Sequence, residues 1–327
     1  MTLPAIPIHD RRDSGLLEHA LEGADRAEAV MKTVIAGMGV AGRALPALLP
    51  MADRIAERRL IAMNYPYRSE ILAIRDASGR PGPVAFNLSY EFGCTARAFE
   101  TGDAPVLFRT LDWPFKGLGR LVEILKLRGP SGDWITATWP GVVGCLHGAA
   151  PGRFTIALNQ APERRSGTGR AGDWIAGKRR FLKSTGMPPP HLLRWVFETA
   201  PDFASAREAL LTTPVAAPVI YTLAGARPGE ACTIERTLAG GAETDHPAAA
   251  NHFETETSAR WRSRGHDSEG RRAAVLDANA PPELDAVPPP ILNPLTRLAM
   301  TLGSDGTLSV AGYDGAERIT EVTSTSV

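Results

Sequence analysis

The chain has 327 residues and ordinary apolar content, with 36 lysines and arginines balanced by 36 aspartates and glutamates. That length supports one large domain or two smaller ones with well-buried cores. Neutrality and the lack of a dominant basic block exclude the electrostatic footprint of a nucleic-acid binder and give no reason to expect an acidic partner.

The first residues, Met1 to Arg12, lack a basic start followed by a sustained apolar run, so they do not read as a secretory signal, and a cytoplasmic location is expected. Residues 14 to 31, rich in Leu, Ala and Glu, predict a helix with Asp13 or Ser14 as its cap. From Met31 to Met63 the pattern stays helical with interruptions at Pro46 and Pro50. Arg43, Asp53 and Arg54 keep every run short of the ~20 apolar residues of a membrane span, so membrane contact is expected to be peripheral at most. Gly37, Gly39 and Gly42 fit a GxGxxG pattern. They follow a helix, and no clear βαβ unit comes after them, so they are read as the small-residue face of a helix and no dinucleotide cofactor is expected. Asn87-Leu88-Ser89 has the form of a glycosylation sequon without a secretory route to use it.

Cys94 opens a short run with β character, and Thr101 to Pro105 supplies turn residues before the apolar run that carries Arg109 and Asp112. The two runs predict a hairpin that returns Arg109 and Asp112 towards Cys94. A guanidinium beside a thiol favours the thiolate, and a carboxylate orients a protonated amine, so this trio suits nucleophilic attack on a carbonyl. Strands and turns are expected to continue to residue 160. Gly167 to Gly172 reads as a loop, Pro188 to Pro190 precedes a helix through Trp195 and Phe197, and Val219 to Leu223 starts another strand group. Pro281-Pro282 and Pro288 to Pro290 mark a late linker before a closing hairpin formed by 295–302 and 307–312. Strands mixed with helices, without regular βα alternation, place the chain in the α+β class.

Cys145 and Cys232 lack company of this kind and are expected to be packed thiols. The three cysteines are far apart, form no CxxC pair and are odd in number, so neither a disulfide framework nor a zinc site is expected. The seven histidines show no HxxxH spacing, and no metal is expected.

Asn87-Leu88-x-Tyr90-Glu91 leading into Cys94-Thr95, then Arg109-x-Leu111-Asp112-Trp113-Pro114, resembles the N-terminal nucleophile hydrolases of the acid ceramidase and N-acylethanolamine acid amidase type, which are related to bile-salt hydrolases and penicillin acyltransferases. Gly141 to Gly144, the run Pro151 to Gln160, Asn251-His252-Phe253 and the cluster around Arg271-Arg272 continue the resemblance in order over roughly residues 30 to 310.

The resemblance implies a four-layer αββα sandwich with a helical N-terminal segment. It also implies self-cleavage between Gly93 and Cys94, giving a helical chain 1–93 and a catalytic chain 94–327 that stay together as a heterodimer. Cleavage would free the Cys94 α-amine, whose unperturbed pKa near ~8 suits it as base for its own thiol. Gly93, lacking Cβ, tolerates the strained backbone that an internal N-to-S acyl shift at this junction would need.

In the resemblance Arg109 lies near the substrate carbonyl and Asp112 accepts from the Cys94 α-ammonium. Asn251 donates to an oxyanion, backbone near Asn159 and Gln160 completes that site, and Arg271 contacts substrate or serves as a structural cation. The implied reaction is hydrolysis of linear amides of N-acyl, chiefly fatty-acyl, small molecules, without a cofactor; acyl transfer or a non-catalytic binding role are the alternatives. Two departures stand out. The Cys94–Arg109 hairpin is about one residue short, and Gln160 replaces a glutamate, so any ionising role there is lost. Arg260, Arg262, Arg264, Arg271 and Arg272 all compete for the late arginine position.

Overall fold

The computed structural model describes residues 2–62, 66–89, 92–102, 104–256 and 259–327. Tyr90 and Glu91 of the motif before Cys94, Met63 at the end of the second helical stretch, and Asp103 in the hairpin turn lie outside the described residues.

Two sheets form the centre. The eight-stranded sheet has the order β1 (Ile8–Asp10), β4 (Glu123–Gly129), β5 (Gly132–Thr138), β6 (His147–Ala150), β7 (Phe154–Gln160), β9 (Val219–Gly225), β10 (Ala231–Arg236) and β11 (Gly241–Glu243). The second has the order β12 (Ala248–Ala249), β2 (Gly93–Thr101), β3 (Ala104–Asp112), β14 (Thr296–Gly303), β15 (Thr307–Asp314) and β16 (Glu317–Arg318), with β17 (Thr323–Ser326) also paired to β15. A short ribbon joins β8 (Glu163–Arg164) to β13 (Trp261–Arg262).

β2 and β3 lie across from β7 and β9, so the sheets stack face to face. Helices α7 (Pro189–Thr199) and α8 (Phe203–Thr212) cover the far side of the first sheet, where Phe197 stacks on Trp134 with centroids 5.2 Å apart. Helix α9 (Ser268–Asp277) covers the second. Its Val275, with Leu284, Val287 and Ile291 from the proline-rich segment, packs on Phe99, Phe108, Ala299, Ala311 and Tyr313. The layers therefore run α, β, β, α, and the fold is α+β, as expected.

The remaining helices are α1 (Gly15–Glu22), α2 (Ala24–Gly37), α3 (Gly39–Ala62), α4 (Arg68–Ser78), α5 (Pro83–Asn87) and α6 (Gly169–Lys183). Several local expectations need correction. The single helix predicted over 14–31 is two helices that break at Gly23, and Ser14 occupies the cap position without a side-chain cap bond. The predicted interruptions at Pro46 and Pro50 do not occur, because α3 runs through both. Each proline forfeits one ladder bond. The C-terminal half is tied down instead: Asp53 accepts from the Gly82 and Ala85 N–H groups, and Arg59 donates to the Phe181 and Gly186 carbonyls.

Gly37, Gly39 and Gly42 do not share a helix face. Gly37 ends α2, and Gly39 starts α3 at φ +57°, a conformation that favours glycine, so the pattern marks a joint between two helices. Helix α6 begins at Gly169, inside the predicted loop, where Asp173 accepts from both the N–H and hydroxyl of Ser166 at 2.6 Å. Among the described residues no helix is long and apolar enough to cross a membrane.

Candidate active site

The β2–β3 hairpin forms as expected, in a register that pairs Gly93 with Asp112, Cys94 with Leu111 and Ala96 with Arg109. Side chains alternate across a strand, so Cys94, Ala96, Leu107, Arg109 and Leu111 share the face towards the other sheet. Arg109 is diagonal to Cys94, within reach of a long side chain. Its Nη2 donates to Cys94 Sγ at 2.7 Å, and both residues are fully buried. Arg109 Nη1 donates to the Leu146 carbonyl at 2.6 Å and to His147 Nδ1 at 2.7 Å, which fixes the guanidinium plane. The Cys94 thiol also points at the Leu158 carbonyl, 3.7 Å away.

The opposite face holds the second half of the site. Arg271, brought by α9, donates from Nη1 to the Cys94 carbonyl at 2.5 Å and to Thr95 Oγ1 at 2.8 Å. The same nitrogen lies 3.2 Å from Asp112 Oδ2, and Nη2 donates to Asn251 Oδ1 at 2.8 Å. Among the five competing arginines this one is completely buried at the centre. Arg260 is exposed, Arg262 and Arg264 pair with Glu163, and Arg272 lies by Glu254.

Asn251 links the two halves. Its Oδ1 accepts from the Cys94 N–H at 2.8 Å as well as from Arg271, and its Nδ2 donates to the Gln160 carbonyl at 2.8 Å. In the continuous chain the Cys94 amide N–H is thus held by Asn251. Asp112 instead takes Thr296 Oγ1 and Asn293 Nδ2, each at 2.9 Å, beside Arg271. Asp112 nevertheless abuts the scissile residue. A Cβ on Gly93 would sit 3.2 Å from Asp112 Cβ and 3.3 Å from its Oδ2, so a larger residue would need Asp112 to shift by a few tenths of an ångström, while the backbone of Gly93 is not in the positive-φ region that favours glycine.

Asn159 lies on the same β7 face as Ala157, the partner of His147, and donates from Nδ2 to the Ala249 and Ala250 carbonyls, both at 3.1 Å, which anchors the strand leading into Asn251. Its Oδ1 is buried without a partner among the described residues. Gln160 Oε1 accepts from the Phe92 N–H at 2.8 Å, a contact to the segment just before Gly93. Asn87 holds the same segment against the Gly141 loop through the Gly141 carbonyl and the Val143 N–H.

Burial pushes the Cys94 thiol above its ordinary range, Arg109 and Arg271 pull it back, and Asp112 adds to the rise. The balance leaves it raised. His147, also fully buried and beside Arg109, is held well below the usual histidine range, so it is neutral and accepts at Nδ1. Burial, joined at Cys232 by the nearby Glu243, pushes Cys145 and Cys232 up to about 12, and each is a free packed thiol.

His147, Ser268, Asn293 and Thr296 escaped the sequence reading. Each acts by orienting another side chain from a distant point of the chain, and none sits in a motif.

A cavity of about 330 Å³ approaches this centre, lined in part by Leu88, Phe92, Leu158, Gln160, Phe181 and Val219. Among the described residues, the groups able to gather round a metal are His9, His19 and Glu123, at the β1–α1–β4 junction. Glu123 there already accepts from His19 Nε2 at 2.6 Å and lies 3.5 Å from Arg26 Nε, and His19 Nδ1 takes a bond from Arg11. His19 and Glu123 are thus engaged by protein groups, while His9 Nε2, 3.7 Å from Glu123 Oε2, is buried without a hydrogen-bond partner among the described residues.

A cysteine near the start of a strand between two stacked sheets, with covering helices on both sides, is an α+β arrangement with the αββα layers of the N-terminal nucleophile hydrolase fold. Within that fold the chain's sequence is similar to acid ceramidases and N-acylethanolamine-hydrolyzing acid amidases. The amidase of Cavia porcellus is 26% identical over 228 residues, 67% of this chain and 62% of the relative. Acid ceramidase of Mus musculus is 27% identical over 209 residues, 58% of this chain and 52% of the relative. The chain thus spans between about half and three-fifths of these relatives' lengths. Among solved structures, a Caenorhabditis elegans N-acylethanolamine-hydrolyzing acid amidase ortholog aligns with a TM-score of 0.47 and 17% identity, over 72% of this chain and 99% of that one. A conjugated bile acid hydrolase mutant from Clostridium perfringens aligns at 0.42 and 11%, over 72% and 92%. No family model matches the chain.

Proposed function

We propose that this protein is a self-processing cysteine amidohydrolase that acts on linear amides of N-acyl small molecules. The observation that carries the reading is the convergence on one residue: Sγ of Cys94 takes the Arg109 guanidinium while its backbone nitrogen takes Asn251 Oδ1. In the continuous chain that nitrogen is an amide, so the thiol has no base and burial keeps it protonated. Attack of Sγ on the Gly93 carbonyl passes the acyl group from nitrogen to sulfur, water then hydrolyses that thioester to leave a Gly93 carboxylate, and the nitrogen becomes an α-amine able to accept the thiol proton.

The freed Cys94 then attacks the amide carbonyl, with Arg109 favouring the anionic sulfur and oxygen. Asn251 holds the amine, and its amide group lies beside the developing oxyanion. The amine passes its proton to the leaving group, and water resolves the acyl-thioester. Asp112 and Arg271 brace the Gly93–Cys94 junction rather than touch the substrate. Leu88, Phe92, Leu158, Phe181 and Val219 in the cavity lining support a fatty or otherwise apolar acyl group, while charged residues such as Glu163, Lys178 and Arg264 line it too and suit a polar amine portion.

Chains 1–93 and 94–327 stay joined in this reading. β1 adds in parallel to β4, His19 binds Glu123, and Arg194 forks onto Glu70 with bonds of 2.6 and 2.9 Å.

Intact-mass spectra of wild type and Cys94→Ala, incubated over a range of pH, test the reading. Two wild-type fragments split at Gly93/Cys94, with the variant intact, are expected, followed by turnover of N-acylethanolamines or ceramides. An uncut wild-type chain at every pH would falsify it.

A further inference from the structure

Asn251 sits in a loop, yet its position at the Cys94 nitrogen is defined to hydrogen-bond accuracy. A second chain of bonds runs to its backbone from the surface. The Asn251 N–H donates to Ser268 Oγ at 2.8 Å, and Ser268 Oγ lies 2.7 Å from His252 Nδ1. His252 Nε2 lies 3.0 Å from Glu254 Oε1, and Arg272 Nη1 is 3.3 Å from Glu254 Oε2. Direction along this chain follows from donor inventory. The Glu254 carboxylate accepts, so in the neutral imidazole the proton sits on Nε2, and Nδ1 accepts from the Ser268 hydroxyl, whose oxygen keeps a lone pair for the Asn251 N–H.

Both Asn251 and Ser268 are buried, and Ser268 is the first residue of α9, the helix that delivers Arg271. The serine therefore ties the Asn251 loop to the element carrying the other donor on Asn251 Oδ1.

Resting on the proposed role of Cys94, we infer that His252 and Ser268 are positioning residues that set Asn251 against the Cys94 nitrogen. Without the Ser268 oxygen, the buried Asn251 N–H loses its acceptor, and the loop is free to rotate the amide that both Cys94 and Arg271 use. With an apolar residue at 252 the serine keeps its bond to Asn251 but loses the acceptor that orients its hydroxyl. The substrate cavity does not include Ser268 or His252. The effect accordingly falls on the chemical step and not on substrate capture.

The test compares wild type, Ser268→Ala, Ser268→Thr and His252→Leu by rate of Gly93/Cys94 cleavage from intact mass, by kcat and KM on an N-acyl amide, and by melting temperature. Ser268→Ala is expected to slow cleavage and lower kcat roughly 10- to 100-fold with KM within about twofold, since a small misplacement near the chemistry costs that much. Ser268→Thr, which keeps the oxygen, restores most of the rate, and His252→Leu falls between. If wild type cuts itself and the folded Ser268→Ala and His252→Leu variants match its rates, the positioning role is wrong while the cysteine reading stands. Wild type that never cuts removes both. A rise in KM alone, or Thr behaving as Ala at equal melting temperature, also overturns the inference.

Discussion

Arg109 reaches Cys94 Sγ at 2.7 Å from a position whose direct partner across the hairpin is Ala96. Diagonal placement, not direct pairing, lets a long cation lie along a thiol that burial would otherwise keep protonated. Replacing Arg109 with Met removes the positive charge that most favours the thiolate, so the thiol rises further. Self-cleavage is expected to slow by about 100-fold at neutral pH, and its pH–rate profile should move to higher pH. Intact-mass time courses at several pH values read both effects; an unchanged profile would show that Arg109 does not govern the thiol.

The Asp112–Arg271 pair is fully buried and each partner has further hydrogen bonds. Removing one member leaves an uncompensated charge. Asp112→Asn and Arg271→Met should each cost about 3–5 kcal/mol in urea unfolding, and the double variant should cost clearly less than their sum. Additive losses would mean that the two charges do not depend on each other.

Acid should weaken this fold through its buried histidines. Burial and the nearby Arg194 depress His191 to about 3, and His147 is also held well below its usual value of 6.5. The unfolded chain protonates both near 6.5, so below that pH it binds more protons than the native state and stability falls as pH falls, down to about 3 for His191. Between pH 6.5 and 5 the loss is expected to be about 2 kcal/mol for each histidine. Urea unfolding at those two pH values measures it, and His191→Phe should remove its share of the slope. A stability that rises on acidification would contradict the assignment.

Gln160 stands where the resemblance implies a glutamate, and its Oε1 accepts the Phe92 N–H beside the cleavage point. A carboxylate keeps that acceptor. Gln160→Glu should therefore cleave at close to the wild-type rate, while Gln160→Leu, which leaves the Phe92 N–H without it, should be roughly tenfold slower. Equal rates for Glu and Leu would separate the Phe92 contact from processing.

Arg194 on α7 grips Glu70 on α4 and Glu198 on its own helix, and Tyr67 donates to Glu198 at 2.6 Å. These bonds cross between the two chains that cleavage would produce. Arg194→Leu should let the fragments part at lower urea, with a loss of about 2 kcal/mol because Glu70 is partly exposed. Size-exclusion chromatography of the cleaved protein in graded urea would report separation, and co-elution indistinguishable from wild type would count against the clamp.

The hairpin carrying Cys94, Arg109 and Asp112 was legible because everything that makes it is local. Alternation decides which side chains share a face, the glycine-containing turn decides the register, and seventeen further residues suffice to return the chain. The helix over 189–199 and the closing hairpin were legible for the same reason. The breaks expected at Pro46 and Pro50 do not form, because local propensity leaves out the Asp53 and Arg59 anchors, whose partners lie 29 to 127 residues away, and the single helix expected over 14–31 is divided locally at Gly23, whose N–H closes α1 on the His19 carbonyl.

Residue type and order by themselves determined the α+β class, the cysteine that opens a strand, and the short list of polar residues around it. Only the tertiary structure decided what each of those residues holds. Asp112 turned to Asn293 and Thr296, Asn251 took the Cys94 nitrogen, and Arg271 was singled out from its neighbours. Buried polar atoms must find partners, and which partners are within 3 Å depends on how the two sheets and α9 stack, a relation among segments that neighbouring residues do not encode.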